Sequence, residues 1–209
     1  MSVMNKEAVL KFLNQASAVM TENKEYLIEL DAHCGDGDLG LTMSKGFAAG
    51  AKVANASAET DLGKLLFLVG SDIAKEVPST MGTLMGSGFI KAGKALRGKT
   101  ELTTADLATF CEAYYQGLQE RGKANPGERT ILDSLKPAAD AARAAADAGD
   151  DFSAIAKKAY AASLQGVEAT KNMVPVYGKA VVHRAKLVGV PDQGAIVGSL
   201  FYKAMSEAL

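Results

Sequence analysis

Apolar residues recur at helical spacing from one end of the chain to the other, and that pattern leaves few folds open. Val9, Phe12, Leu13, Ala16, Val19 and Met20 share one face of a 3.6-residue repeat. Leu62, Leu65, Leu66, Val69 and Ile73 share another, and Leu107, Phe110, Cys111, Tyr114 and Leu118 a third. Residues 130–147 and 151–169 are Ala-rich, and Ala is the strongest helix former. No stretch sustains the period-two alternation of a half-buried strand. Breaks fall at Gly-, Pro- and Asn-containing stretches: 31–40, 77–79, 97–100, 121–129, 148–150 and 188–194. Thr103 to Asp106 has capping-box spacing at a helix start. The expectation is an all-α protein of about eight helices in one antiparallel bundle, with residues 1–209 as a single domain and no internal repeat.

Bulk properties exclude several classes of partner. A net charge of −1 gives no electrostatic footprint for nucleic acid or an anionic membrane. No apolar run is long enough to span a bilayer, and no secretory leader is evident at the N-terminus. The two cysteines, Cys34 and Cys111, lie in unrelated contexts and form neither a disulfide framework nor a thiolate metal motif. A cytoplasmic protein is expected.

One stretch does not fit a plain helical bundle. In LDAHCGDGDLGLTMSKGF, residues 30–47, Asp31, Asp36 and Asp38 crowd into eight positions, threaded with Gly35, Gly37 and Gly40. Like charges this close repel. One Asp suffices to cap a helix, so three exceed what capping needs. Hard divalent cations take oxygen ligands, and Mg²⁺ takes a few carboxylates with waters and substrate phosphates. The glycines let the backbone turn tightly enough to aim the carboxylates inward. An EF-hand frame fails: counted from Asp31 the last ligand position is Thr42, and from Asp36 it is Phe47, not Glu. A helix from about Leu39 to Val53 should follow, and its N-terminus favours an anion. Metal beside a helix N-terminus suggests a bound phosphate chain. The plainer alternative is a solvated acidic turn. His33 lies in the same loop, where a solvent role is the default, and His183 is read as a surface residue.

Three further helix starts carry glycine. In Pro78–Gly88, Ser79 or Thr80 can cap. Gly86 and Gly88 suit close helix packing, while Thr80 and Gly82 suit backbone approach to a phosphate. In Ala124–Asp133, Thr130 and Asp133 have capping-box spacing, and Arg129 beside them suits a nucleotide or merely solvent. In Val188–Ala195, Asp192 is the expected cap of the last helix.

Taken together these blocks resemble the L subunit of the dihydroxyacetone kinases, the nucleotide-binding domain of that family. The family's metal block, an aspartate followed by G-D-x-D-H-G-x-N-M-x-x-G-F, is matched at Asp31, Asp36, Asp38, Gly40, Met43, Gly46 and Phe47. Thr80, Gly82, Leu84 and Gly86 match a second block. Pro126, Gly127, Thr130, Asp133, Leu135, Pro137 and Ala138 match a third, with Arg129 for Lys. Gly178, Ala180, Gly189, Asp192, Gly194 and Ala195 match a fourth. The blocks come in family order and span nearly the whole chain.

The resemblance implies a barrel-like bundle of eight helices that holds ADP or ATP at one rim through two Mg²⁺ ions. Asp31, Asp36 and Asp38 would ligate the metals, Thr80, Gly82 and Thr83 would contact phosphate oxygens, and the Gly127–Thr130 turn would border the adenine. Leu39, Thr42, Met43, Met81, Arg129, Asp192 and Gly194 fall at the remaining nucleotide-site positions, and Lys186 at the catalytic one. It also implies a separate K-type subunit that presents the substrate, and either ATP or a phosphotransferase phosphocarrier protein as donor. The free chain would be a homodimer or monomer.

Four positions depart from the family: Leu39 stands for His, Thr42 for Asn, Met81 for Ser and Lys186 for Arg. Lys186 keeps a charge without the bidentate fork. These departures suggest a paralogue acting on another small keto-sugar or polyol, such as a tetrose. Two other readings stay open: a regulatory or scaffold module that binds ADP–Mg²⁺ without transferring phosphate, and a helical barrel enclosing a lipid.

Overall fold

Polar caps set where most of the helices begin. The computed structural model describes residues 3–33 and 35–209, and for Lys179, His183, Ala185 and Lys186 the backbone only. Among these residues there are nine α-helices: α1 (Lys6–Glu22), α2 (Lys24–Ala32), α3 (Leu39–Ala56), α4 (Leu62–Glu76), α5 (Thr80–Ala95), α6 (Thr104–Gly122), α7 (Leu132–Asp147), α8 (Phe152–Thr170) and α9 (Gln193–Ala208). A 3₁₀ helix covers Lys179–Lys186, and no strand is present among the described residues. Asn5, Asp61, Ser79, Asp151 and Asp192 each accept a backbone N–H from three residues on, satisfying one of the orphan donors of a helix start. Thr103 and Asp106 form the expected capping box.

The helices close into a ring. In order α1, α3, α4, α5, α6, α7, α8 and α9, each packs on the next, and α9 packs back on α1. Neighbours run antiparallel, as cross-links at the far rim show: Lys6 Nζ at the start of α1 donates to Ser57 O beyond the end of α3 (2.7 Å), and Lys11 Nζ donates to Ala208 O at the end of α9 (2.6 Å). The all-α barrel expected from the sequence is therefore present. The ninth helix is α2, which lies outside the ring and packs chiefly on α3. One break, at Asn23 between α1 and α2, was not anticipated, whereas Ser57–Asp61, which ends in the Asp61 cap, falls between the helix expected to end near Val53 and the face that starts at Leu62.

Aromatic rings fill the barrel axis. Phe201 of α9 stacks on Tyr114 of α6 at 4.4 Å and meets Phe12 of α1 edge-on at 5.3 Å and Phe89 of α5 at 5.9 Å. It also packs against Phe47, Phe110 and Tyr202. A gap lined by Met4, Phe12, Leu66, Phe110 and Met205 amounts to about 10 Å³, no more than one water needs, so it offers no room for an acyl chain. Where α4 and α5 cross, a Cβ on Gly70 would stand 2.5 Å from Gly86 O and one on Gly86 2.6 Å from Gly70 O, which accounts for Gly86 by packing. Gly88 meets Tyr114 and Leu118 in the same way. No described helix is long and apolar enough to cross a membrane.

Phe201 touches rings from α1, α3, α5 and α6, so truncating it should open a cavity that several helices share. The Phe201→Ala variant is expected to lose about 3–5 kcal/mol of unfolding free energy in a urea titration followed by helical circular dichroism.

Candidate metal and nucleotide site

An antiparallel ring of eight helices puts the N-termini of every second helix at one end. Here α3, α5, α7 and α9 all start at the same rim. Each brings unpaired backbone N–H groups and the positive end of its dipole, so the rim favours anions. Those four starts are the four glycine-bearing motifs of the sequence.

The acidic motif lies between α2 and α3. Asp31, the buried penultimate residue of α2, accepts N–H groups of Gly37 (2.9 Å) and Asp38 (3.2 Å) through Oδ2, and its own carbonyl accepts Gly35 N–H (2.5 Å). These bonds curl the loop around one carboxylate. Gly35 is required there because a Cβ would overlap the Asp31 carboxylate, and Gly37 sits at φ +73°, a left-handed conformation that favours glycine. Asp36 and Asp38 are exposed, and one carboxylate oxygen from each of the three residues lies within 4.8 Å of the others. Asp38 occupies the N-cap position of α3 yet makes no side-chain capping bond. At this separation each pair repels by about 1 kcal/mol even with water-like screening. A cation at the centre turns that repulsion into attraction. The donor set is entirely oxygen, which fits Mg²⁺ or another hard divalent ion.

The other three motifs meet one another. Val77 fills the space between Gly46 of α3 and Gly82 of α5, tying the first motif's helix to the second. Ser79 rather than Thr80 caps α5, accepting Gly82 N–H at 3.0 Å, so Thr80 stays exposed and Thr83 half-buried at the helix start. A Cβ on Gly194 of α9 would lie 3.2 Å from Ile131 N and 3.3 Å from Met81 Cε. The starts of α5, α7 and α9 are thus in contact. Thr42 is buried at the α3 start, while Leu39 and Met43 belong to the core. Met43 has no exposed surface, so as placed its contribution to a ligand is through packing. Met81 is half-buried and packs against the core edge.

The α7 start is an anchored turn. Asp133 accepts the N–H of Gly127 and that of Thr130 (2.7 Å), with Gly127 at φ +92°. Thr130 Oγ1 accepts Leu132 N–H (3.2 Å) rather than that of Asp133, so only half of the expected capping box forms. The solvent alternative for Arg129 does not hold: it is 3% exposed, and its guanidinium donates to Thr170 O (3.3 Å), Leu187 O (3.5 Å) and Val190 O (2.9 Å). Its Nη1 is buried without a protein partner, and its backbone is left-handed at φ +59°, which costs about 1–2 kcal/mol for a residue with a Cβ.

Asp192 sits beside this group. Its carboxylate caps α9 through Ala195 N–H (2.9 Å), and its own N–H donates to Thr170 Oγ1 (2.9 Å). Burial pushes its carboxyl up from 3.8 to about 6, although Ala195 N–H and nearby Arg129 pull the other way. Thr170 had not been anticipated as part of the site. It ends an Ala-rich helix, and nothing local in the sequence marks it. Exposed His33 faces Glu29 O through Nδ1 at 2.6 Å. Cys34 and the side chains of His183 and Lys186 lie outside the described residues, so the expectation for Lys186 as the catalytic group does as well.

The model of the DAK2 domain matches residues 33–207. The chain belongs to the DAK2 domain family. Among DAK2 relatives, the ADP-binding subunit DhaL of PEP-dependent dihydroxyacetone kinase 1 from Listeria innocua is 28% identical, with 97% of this chain and 96% of that protein covered. An L-erythrulose 1-kinase from Mycolicibacterium smegmatis is 32% identical, but this chain spans only 35% of it. The crystal structure of the C. freundii dihydroxyacetone kinase in complex with AMP-PNP and Mg²⁺ has a TM-score of 0.72 at 24% identity, covering 96% of this chain and 34% of that one. At that identity the likeness concerns the fold. This chain is thus about the length of the free-standing DAK2 subunit and about a third of the multidomain kinases.

Burial of the Asp192 carboxyl makes stability depend on pH with a definite sign. Its folded-state value lies above its unfolded one, so its contribution to stability is fully present below about pH 4 and lost as pH rises through about 6. A rise from 3.8 to about 6 corresponds to about 3 kcal/mol. Asp192→Asn keeps a capping side chain without the charge. Urea unfolding of both proteins across this range should show the wild type losing stability relative to the variant as pH rises, with the difference flat above neutrality.

Proposed function

We propose that this DAK2 chain is the nucleotide-binding, phosphoryl-transferring subunit of a kinase for a small keto-sugar. It would hold Mg²⁺–ADP or Mg²⁺–ATP at the four-helix rim and work with a separate K-type subunit that presents the acceptor. The observation that carries the reading is the convergence of three carboxylates, one oxygen of each within 4.8 Å of the others, at a rim where four helix N-termini point the same way. Carboxylates alone would attract any hard cation, and N-termini alone any anion. Both at one rim suit a cation–polyphosphate complex.

Asp31, held by two backbone N–H groups, would fix the geometry of the metal loop, while the exposed Asp36 and Asp38 would complete the ligand set. Bound Mg²⁺, two ions in this reading, would neutralise the phosphate chain and the charge that develops during transfer. The starts of α5 and α7 would supply N–H donors to phosphate oxygens and a wall for the base. Lys186 would lend positive charge near the transferred group. None of these residues forms a covalent intermediate; the chain's contribution is positioning and charge complementarity.

Support for a subunit role comes from DAK2 relatives of similar length that are described as ADP-binding subunits of PEP-dependent kinases. This agrees with a nucleotide that stays bound and is recharged by a phosphocarrier protein in the cytoplasm. The likeness to an L-erythrulose kinase supports a four-carbon keto-sugar as one acceptor to test. A second reading, a regulatory module that binds ADP–Mg²⁺ without transfer, is favoured by one observation: Leu39 and Met81, apolar where the family has polar residues, pack into or against the core.

Calorimetric titration of ADP should give binding that requires Mg²⁺, and Asp36→Ala should weaken it by about 100-fold, near 3 kcal/mol. Absence of binding in nucleotide-free wild type would remove the proposal. Turnover with a K-type subunit, ATP and a panel of three- and four-carbon ketoses separates the kinase from the regulatory reading.

A further inference from the structure

The α8–α9 connection, residues 171–192, is a long excursion at the nucleotide rim. It exposes Val174, Val176, Tyr177, Val182 and Val188, and among its described side chains it buries few, Pro175, Ala180 and Leu187 among them. A surface loop so poorly anchored by apolar contacts belongs to the low-stability end of a fold. Its neck, by contrast, is densely bonded. Gly189 N–H donates to Lys171 O (3.0 Å), joining the two ends, and Asp192 N–H donates to Thr170 Oγ1. Arg129 enters this neck from the start of α7. One guanidinium reaches Thr170 O at the end of α8, where the loop leaves, and Leu187 O and Val190 O on its returning arm. These acceptors are 41, 58 and 61 residues away in the chain.

Arg129 is an expensive way to close a loop. It holds a left-handed backbone where glycine would be unstrained, and it buries a cation with one nitrogen unpartnered. Such costs persist where geometry matters. A lysine ammonium is a compact point charge, whereas the planar fork can address carbonyls on both sides of the neck at once. The same turn carries Gly127 and Thr130, bonded to Asp133 at the α7 start. Arg129 therefore couples the turn that faces the rim to the loop beside it.

We infer that Arg129 is a positioning residue that pins both ends of the 171–192 loop to the α7 start and so holds this loop against the nucleotide rim. The inference deepens the proposed function and rests on that reading of the rim as a nucleotide site. It concerns how the site is kept closed, not which groups touch phosphate.

The test uses the full chain with Arg129→Gly, which keeps the left-handed backbone without strain, and Arg129→Lys, which keeps the charge without the fork. Amide exchange followed by mass spectrometry should quicken about tenfold or more across 171–190 in both variants, with the 35–56 region unchanged. Mg²⁺-dependent dissociation of ADP should quicken by about tenfold in Arg129→Gly, and millimolar methylguanidinium, filling the vacated space, should slow it again. Unchanged exchange in the loop overturns the inference. So does equal quickening throughout α7, α8 and α9, or loss of cooperative folding in both variants, since each would make Arg129 a residue of the fold at large. A normal ADP off-rate in Arg129→Gly with a loosened loop overturns it too. If wild type binds no ADP, the functional proposal fails, while the exchange data still decide whether Arg129 pins the loop.

Discussion

Closure of the ring, where α9 packs back on α1, is the contact on which the rim depends. An even number of antiparallel helices can close only with alternate helices pointing the same way, so closure brings the starts of α3, α5, α7 and α9 together. Phe201 anchors that closure from the inside. It is carried by the last helix and packs on rings from α1, α3, α5 and α6. The apolar axis and the polar rim are therefore coupled: the aromatic packing that makes the barrel solid also fixes where the starts of four helices meet.

The rim concentrates features that cost stability. Three carboxylates crowd one loop, Asp192 is buried against its tendency to ionise, and Arg129 is buried with a strained backbone. A densely packed core can carry such costs, because burial of apolar area supplies the main favourable term in folding. The strain also has a consistent location. Each feature lies at the same end of the barrel, beside the starts of α3, α7 or α9. The far rim, by comparison, is closed by ordinary lysine–carbonyl bonds such as those of Lys6 and Lys11.

The acidic loop was legible in the sequence because its three carboxylates lie within eight residues and its glycines are explained locally, Gly35 by the Asp31 carboxylate and Gly37 by its backbone angle. The helix starts at Ser79, Thr103 and Asp192 were legible for the same reason: a cap acts on a donor three residues away. The Asn23 break was not, since it carries neither Gly nor Pro and helix propensity on both sides is high. The burial of Arg129 was not legible because its acceptors are backbone carbonyls, which leave no mark in side-chain identity. Thr170 went unnoticed for a related reason: its role depends on Asp192, twenty-two residues on.

The sequence by itself determined the class of fold, the helix faces and the crowding of three carboxylates at one loop, because periodicity, capping and a cluster of acidic residues act over a few positions. Tertiary structure decided that the four motifs share one rim, that the barrel is filled rather than hollow, and that Arg129 and Asp192 are buried together. Those outcomes come from long-range packing, in which a closing contact between the first and last helices selects neighbours that no local pattern can specify.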